Sequence, residues 1–234
     1  MKSIGIIQPG KLGDLIICLP IAKHYADNGY DVVWPIFYKY VDMFKEVVNF
    51  KVSFYPVTDN VYNCVGEAKN ILKEKNVDVV FDIAATFPGS NCTDEYVMLG
   101  DGFGKEKFDE FKYRKSQVNF DLKWNLKNCI SLNPEKEIEI YNNEVKQTPY
   151  NVISLKHSRG ALDVKFETKY PIIEVNEKYN IFYWKKILEN AKNIVLVDSA
   201  LANLVDQLNL PNNKILLRKP GHPTPTFKSN WTYK

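Results

Sequence analysis

Two short stretches place reactive residue types where a strand runs into a helix. The first, "QPGKLGD" (residues 8–14), follows the apolar run Ser3 to Ile7 and ends on Asp14, where a segment of helical spacing begins. In an open parallel sheet such a turn lies beyond the carboxyl end of the strand, where ligands collect. A carboxylate there has two uses: as the N-cap of the following helix it satisfies free backbone N–H groups, or it faces a ligand. Gly10 and Gly13 let the backbone approach such a ligand closely, and Lys11 is set to meet either a phosphate or solvent. The second stretch, "NIVLVDSALANLVDQLNLP" (residues 193–211), is an apolar strand that runs into Asp198 and Ser199 and at once into a helix. The N–H groups of Ser199, Ala200 and Leu201 and the positive helix end there suit phosphate oxygens, unless Asp198 or Ser199 is only a cap. Neither GxGxxG nor GxxxxGK[ST] occurs, so the dinucleotide fingerprint and the phosphate-gripping P-loop are both unmatched.

The elements that must position these residues follow from the alternation of apolar runs and helix-period segments, the pattern of parallel sheets covered by helices. Strands are expected at Ser3–Ile7, Asp31–Ile36, Lys51–Val57 and Val77–Ala84, with helices over Leu15–Asn28, Tyr40–Val48 and Val61–Lys75 between them. Gly29 suits the left-handed position after the first helix. Phe87 to Gly104 is rich in Gly, Asn, Ser and Asp, and the segment after it mixes aromatics and charges without a clean period, which predicts loops and short helices before a helix at Pro134–Glu144. After a linker at Gln147–Tyr150, strands at Asn151–Leu155, Tyr170–Val175, Asn193–Val197 and Lys214–Leu217 alternate with helices at Phe182–Asn190 and Ser199–Leu208. The proline-rich end reads as an extended tail packed by Phe227 and Trp231. The expected domains are therefore 1–146, a compact second one at 147–218, and a tail at 219–234.

Composition narrows the function classes. With 234 residues, 45% hydrophobic and 25% charged, the chain has the make-up of an ordinary globular protein, long enough for one large core or two small ones. A net charge of +3 does not demand nucleic acid as a partner. The four cysteines, Cys18, Cys64, Cys92 and Cys129, are widely spread without a CxxC pair, and only three histidines are present, so no metal site is expected and the thiols read as reduced and intracellular. No segment approaches the roughly 20 apolar residues of a membrane span, and the N-terminal apolar stretch is broken by Lys11 and Asp14, which argues for a cytoplasmic protein.

Taken together, "GDLIICLP" (Gly13–Pro20) and "VDSALANL" (Val197–Leu204) resemble the heptosyltransferase-like glycosyltransferases, glycosyltransferase family 9. That family opens its first half with a strand, a glycine-containing turn and GD-x4-LP, and carries DS or DT before a small-residue helix in its second. The resemblance implies an α/β protein of GT-B architecture, two Rossmann-like domains with parallel sheets facing across a cleft, acceptor on the first and nucleotide sugar on the second. It implies an inverting, metal-independent transfer of a sugar from a nucleotide-diphosphate sugar to a hydroxyl acceptor, with Asp14 as general base and Gly13 and Lys11 beside it. The donor is then a substrate and no cofactor is needed. Asp198, Ser199, Ala200 and Leu201 become the diphosphate site, with Lys156, Ser158 and Arg159 of "LKHSRG" as further donor contacts; His157 is a loop residue. Glu174, near a strand end, is placed to meet the ribose or base. The chain is shorter than typical members, chiefly in its second half.

The expected acceptor is a surface glycan or a modified DNA base, nucleic acid entering only as acceptor, with "FKYRKSQ" (residues 111–117) and the tail lysines as possible backbone contacts or a solvated face. No stable membrane insertion is expected. The competing reading is a non-catalytic GT-B-like module that binds a nucleotide or glycan. An NAD-dependent enzyme ranks behind both for want of the glycine fingerprint.

Overall fold

The computed structural model describes residues 2–84, 106–157, 160–164, 167–217, 224–228 and 230–234. The chain forms two compact units, residues 1–131 with 221–226, and residues 132–220 with 227–234.

Unit 1 is built on strands β1 (Ser3–Ile7), β2 (Asp31–Phe37), β3 (Val52–Val57) and β4 (Val79–Asp82), with helices α1 (Leu12–Asp27), α2 (Tyr38–Val47) and α3 (Cys64–Glu74) between them. The four strands are parallel in the order β3-β2-β1-β4. The connection after β3 therefore jumps back past β1, and the carboxyl ends of β1 and β4 flank the point where the direction of winding reverses. Ile4, Ile6 and Ile7 of β1 are buried, as expected of a central parallel strand covered on both faces. Gly29 ends α1 with φ of 80°, the left-handed geometry read from the sequence.

Helix α4 (Phe108–Lys115) and a 3-10 stretch at Phe120–Asn128 complete unit 1. α4 buries Asp109 and Lys112 along with Phe108, Phe111 and Tyr113. Lys112 of the basic "FKYRKSQ" stretch is thus fully buried and is neither a solvated face nor a nucleic-acid contact. Lys123 Nζ, itself wholly buried, lies 2.6 Å from Asp109 Oδ2 and also donates to the carbonyl of Thr226, whose own N–H donates to Asp109 Oδ2 at 2.9 Å.

Unit 2 contains α5 (Pro134–Glu144), β5 (Asn151–Ser154), a small antiparallel hairpin β6 (Lys156–His157) and β7 (Gly160–Ala161), β8 (Ile172–Glu174), a 3-10 turn at Ile181–Trp184 leading into α6 (Lys185–Asn190), β9 (Asn193–Val197), α7 (Ala200–Gln207), β10 (Asn213–Leu217) and β11 (Trp231–Tyr233). Its five-stranded parallel sheet has the order β11-β10-β9-β5-β8. Register is marked by asparagines that open three neighbouring strands: Asn193 Nδ2 donates to Asn151 Oδ1 at 2.7 Å, and Asn213 Nδ2 to Asn193 Oδ1 at 3.4 Å. The closing segment is more than an extended tail. Trp231 begins an edge strand, and its indole N–H donates to the buried Asp206 of α7 at 3.0 Å.

Among the described residues no helix is long and apolar enough to cross a membrane. Cys18, Cys64 and Cys129 are free and buried. Burial pushes the thiols of Cys18 and Cys129 up to about 12. At pH 8 iodoacetamide should therefore leave both unlabelled in native protein and modify both in urea, as peptide mass spectrometry would show; labelling of either in the native state contradicts this burial.

Candidate functional site

In unit 1 the loop after β1 carries the first group of residues. Phe37 N–H donates to the Pro9 carbonyl at 2.7 Å and Trp34 Nε1 to the Gln8 carbonyl at 3.1 Å, which tie this loop to β2. Lys11 then takes φ of 58° and turns the chain into α1, whose first residue is Leu12. The helix begins earlier than its apolar pattern indicates, so Asp14 is not the N-cap. Lys11 occupies that position without a capping side-chain bond, and Asp14 is the third helical residue, after Gly13. Lys11 is exposed and Gly13 partly so, whereas Asp14 is 7% exposed.

The surroundings of Asp14 contain a residue that periodicity does not single out. Lys112 Nζ sits 3.3 Å from Asp14 Oδ1, donates to the Ile83 carbonyl at 2.9 Å and donates to Gln8 Oε1. Gln8 in turn donates through Nε2 to the Gly10 carbonyl at 2.9 Å. Gln8 follows β1 and Ile83 follows β4, so the ammonium bridges the two strand ends at the winding reversal, the place where open α/β sheets bind ligands. Among the described residues Asp14 Oδ1 is buried and receives no hydrogen bond; the ammonium of Lys112 and the positive end of α1, in whose first turn it lies, face its charge.

Gly10 has a different role from the one read in the sequence. A Cβ there would lie 2.1 Å from the ring of Phe37, so the missing side chain makes room for an aromatic rather than for a ligand. Gly10→Ala is expected to destabilise the protein by about 1–3 kcal/mol in urea unfolding, and Gly10→Ala/Phe37→Leu to recover part of it; an unchanged midpoint would refute the contact.

In unit 2 the strand β9 ends at Val197, and Ser199 is the N-cap of α7 with extended φ of −157°. Its hydroxyl makes no capping bond, and Oγ is buried without a hydrogen-bond partner among the described residues. The amides of Ala200 and Leu201 begin the helix, with the Leu201 side chain turned into the core. Asn203, one turn on, donates through Nδ2 to the Ser199 carbonyl at 3.1 Å while its buried Oδ1 has no hydrogen-bond partner among the described residues. The helix start thus keeps one hydroxyl and one amide oxygen unused beside its N–H groups. Asn203 was within the quoted motif but carried no mark in the sequence beyond its spacing of four from Ser199.

A pocket of about 200 Å³ in the same unit is lined by Ile153, Leu155, Val164, Ile172 and Glu174. Ile172 and Glu174 alternate with Ile173 on β8 and so share a face of the sheet with Ile153 of β5. Glu174, the last residue of β8, brings a carboxylate to an otherwise aliphatic depression. Lys156 is exposed on the hairpin that follows β5; Ser158 and Arg159 lie outside the described residues.

No protein-family model and no curated protein matches the sequence. Solved structures do. A glycosyl transferase family 9 protein from Veillonella parvula superposes with a TM-score of 0.61 at 12% identity, over 100% of this chain and 86% of the other. The chain shares the fold of this family 9 protein. Escherichia coli ADP-heptose lps heptosyltransferase II gives a TM-score of 0.58 at 9% identity, covering 100% of this chain and 90% of its own. Escherichia coli heptosyltransferase WaaC with ADP gives 0.52 at 11% identity, over 100% and 92%. The match spans the whole chain and so both parallel sheets, with the helix starts after β1 and β9 where Asp14 and Ser199 lie.

Proposed function

We propose that the chain is an inverting, metal-independent glycosyltransferase that moves a sugar from a nucleotide-diphosphate sugar to a hydroxyl acceptor. The observation that carries this reading is Asp14, a nearly buried carboxylate beside the winding reversal of unit 1, in a chain with the family 9 fold. A hydroxyl becomes an effective nucleophile when a positioned base takes its proton in the transition state. Asp14 accepts that proton as the acceptor oxygen bonds to the anomeric carbon and the bond from that carbon to the diphosphate breaks. Attack opposite the leaving group inverts the anomeric centre. The nucleoside diphosphate leaves with the electron pair, and the amides of Ala200 and Leu201, the free Ser199 hydroxyl and Lys156 meet its growing charge. The aliphatic pocket takes the base, with Glu174 accepting from ribose hydroxyls. A glycan is the favoured acceptor over a DNA base, because Lys112 is buried and Arg114 pairs with Glu106 at 2.9 Å, which removes two cations from the stretch that would track a phosphate backbone.

A thermal-shift panel of ADP, UDP, GDP, CDP and dTDP, each with its common sugar conjugates, tests this reading. One nucleotide is expected to stabilise the protein by about 2.7 kcal/mol at a hundredfold excess over its Kd, and Ala200→Trp is expected to remove the shift. No shift with any nucleotide would favour a non-catalytic glycan-binding module, and a shift that survives Ala200→Trp would overturn the diphosphate site. Transfer that a chelator abolishes and Mg²⁺ or Mn²⁺ restores would contradict metal independence.

A further inference from the structure

We infer that Lys112 is a positioning residue for the transfer reaction, acting through Asp14; the inference rests on the reading of Asp14 as general base. Among the described residues three oxygens surround its ammonium, one of them charged. Asp14 Oδ1 is 3.3 Å away, while the Ile83 carbonyl and Gln8 Oε1 accept its hydrogen bonds. A buried cation held by a carboxylate alone would lose its compensation whenever that carboxylate took up a proton. Here the two neutral acceptors stay in place, so Lys112 keeps hydrogen-bond partners both before and after Asp14 accepts a proton from the acceptor. The same geometry fixes the carboxylate. Among the described residues Asp14 Oδ1 has no hydrogen bond to hold it, so the ammonium beside it directs the carboxyl group, and Gln8 and Ile83 anchor that ammonium to the ends of β1 and β4. Phe108 adds its ring 5.9 Å from the same Nζ, on the helix that delivers Lys112.

This role differs from a merely structural one in a measurable way. A residue that only stabilises unit 1 lowers the amount of active enzyme, whereas one that aims the base lowers kcat and leaves donor KM in place. Displacing a catalytic group by about 1 Å costs on the order of 100-fold in rate, so Lys112→Met is expected to lower kcat by roughly that factor with donor KM within about twofold of wild type. Residues that act as one unit are strongly non-additive. Asp14→Asn/Lys112→Met should therefore be no slower than Asp14→Asn alone.

The test is a double-mutant cycle with wild type, Asp14→Asn, Lys112→Met and the pair, following release of whichever nucleoside diphosphate the thermal-shift panel identifies. Each variant is first checked for the wild-type thermal shift with that nucleotide. If Lys112→Met does not fold, Lys112→Gln, which keeps an amide donor for the same oxygens, takes its place. Collapse of the two losses into one supports the inference. Losses that multiply, or a Lys112 variant with wild-type kcat beside an inactive Asp14→Asn, overturn it while leaving the base assignment standing. Full activity in Asp14→Asn overturns the base assignment itself and Lys112 with it.

Discussion

Asp14→Asn is expected to lower kcat by about 10²–10⁴-fold, the usual contribution of a general base, with donor binding unchanged. Asparagine has the shape of aspartate and still offers an oxygen to Lys112, whose bonds to Gln8 and the Ile83 carbonyl remain. The variant should therefore fold and keep its thermal shift with the donor nucleotide, which separates loss of chemistry from loss of the site. A residual rate within about threefold of wild type would remove Asp14 from the mechanism.

The second large effect is on stability. Asp109 and Lys123 form an ion pair in which both side chains are wholly inaccessible, and breaking such a pair by removing one partner costs about 3–5 kcal/mol. Lys123→Met is the cleaner substitution, because it preserves the aliphatic stem between Phe120 and Trp124, whose rings lie 5.7 and 5.5 Å from Nζ. The variant leaves Asp109 with the Thr226 N–H, which still donates to it, and without its Lys123 partner. Asp109→Asn/Lys123→Met removes both charges and should recover a large part of the loss in urea titrations. A loss below about 1 kcal/mol for Lys123→Met would mean that water or rearrangement compensates the carboxylate.

Much of the chain could be read from its residues alone, and the parts that could not share a cause. β1, β2 and β9 are apolar runs long enough to specify buried parallel strands, and their ends agree with expectation within a residue. The turn residue Gly29 and the helix Pro134–Glu144 were legible for the same reason: local chemistry and tertiary structure agree there. α4 was not. Its buried face contains Asp109 and Lys112, so hydrophobic spacing assigns to solvent the two side chains that the fold encloses. Lys112 could be found only by knowing that β1 and β4 are neighbours, because its partners Gln8 and Ile83 lie 104 and 29 residues away. The start of α1 was displaced because Lys11, and not an acid or hydroxyl, occupies the N-cap with a positive φ. At Ser199 the local sequence favoured a cap over a ligand contact, and the hydroxyl is found capping nothing.

The contact between Lys123 and the Thr226 carbonyl spans 103 residues of chain. On a ribosome adding about 5–20 residues per second, Lys123 emerges roughly 5–20 seconds before the residue that completes its surroundings. Unit 1 therefore cannot finish its interior when its own first 131 residues have been made, and it waits on a segment translated after most of unit 2. A ribosome stalled before residue 224 should display unit 1 in a protease-sensitive form, and a separately supplied peptide of the closing residues should protect it.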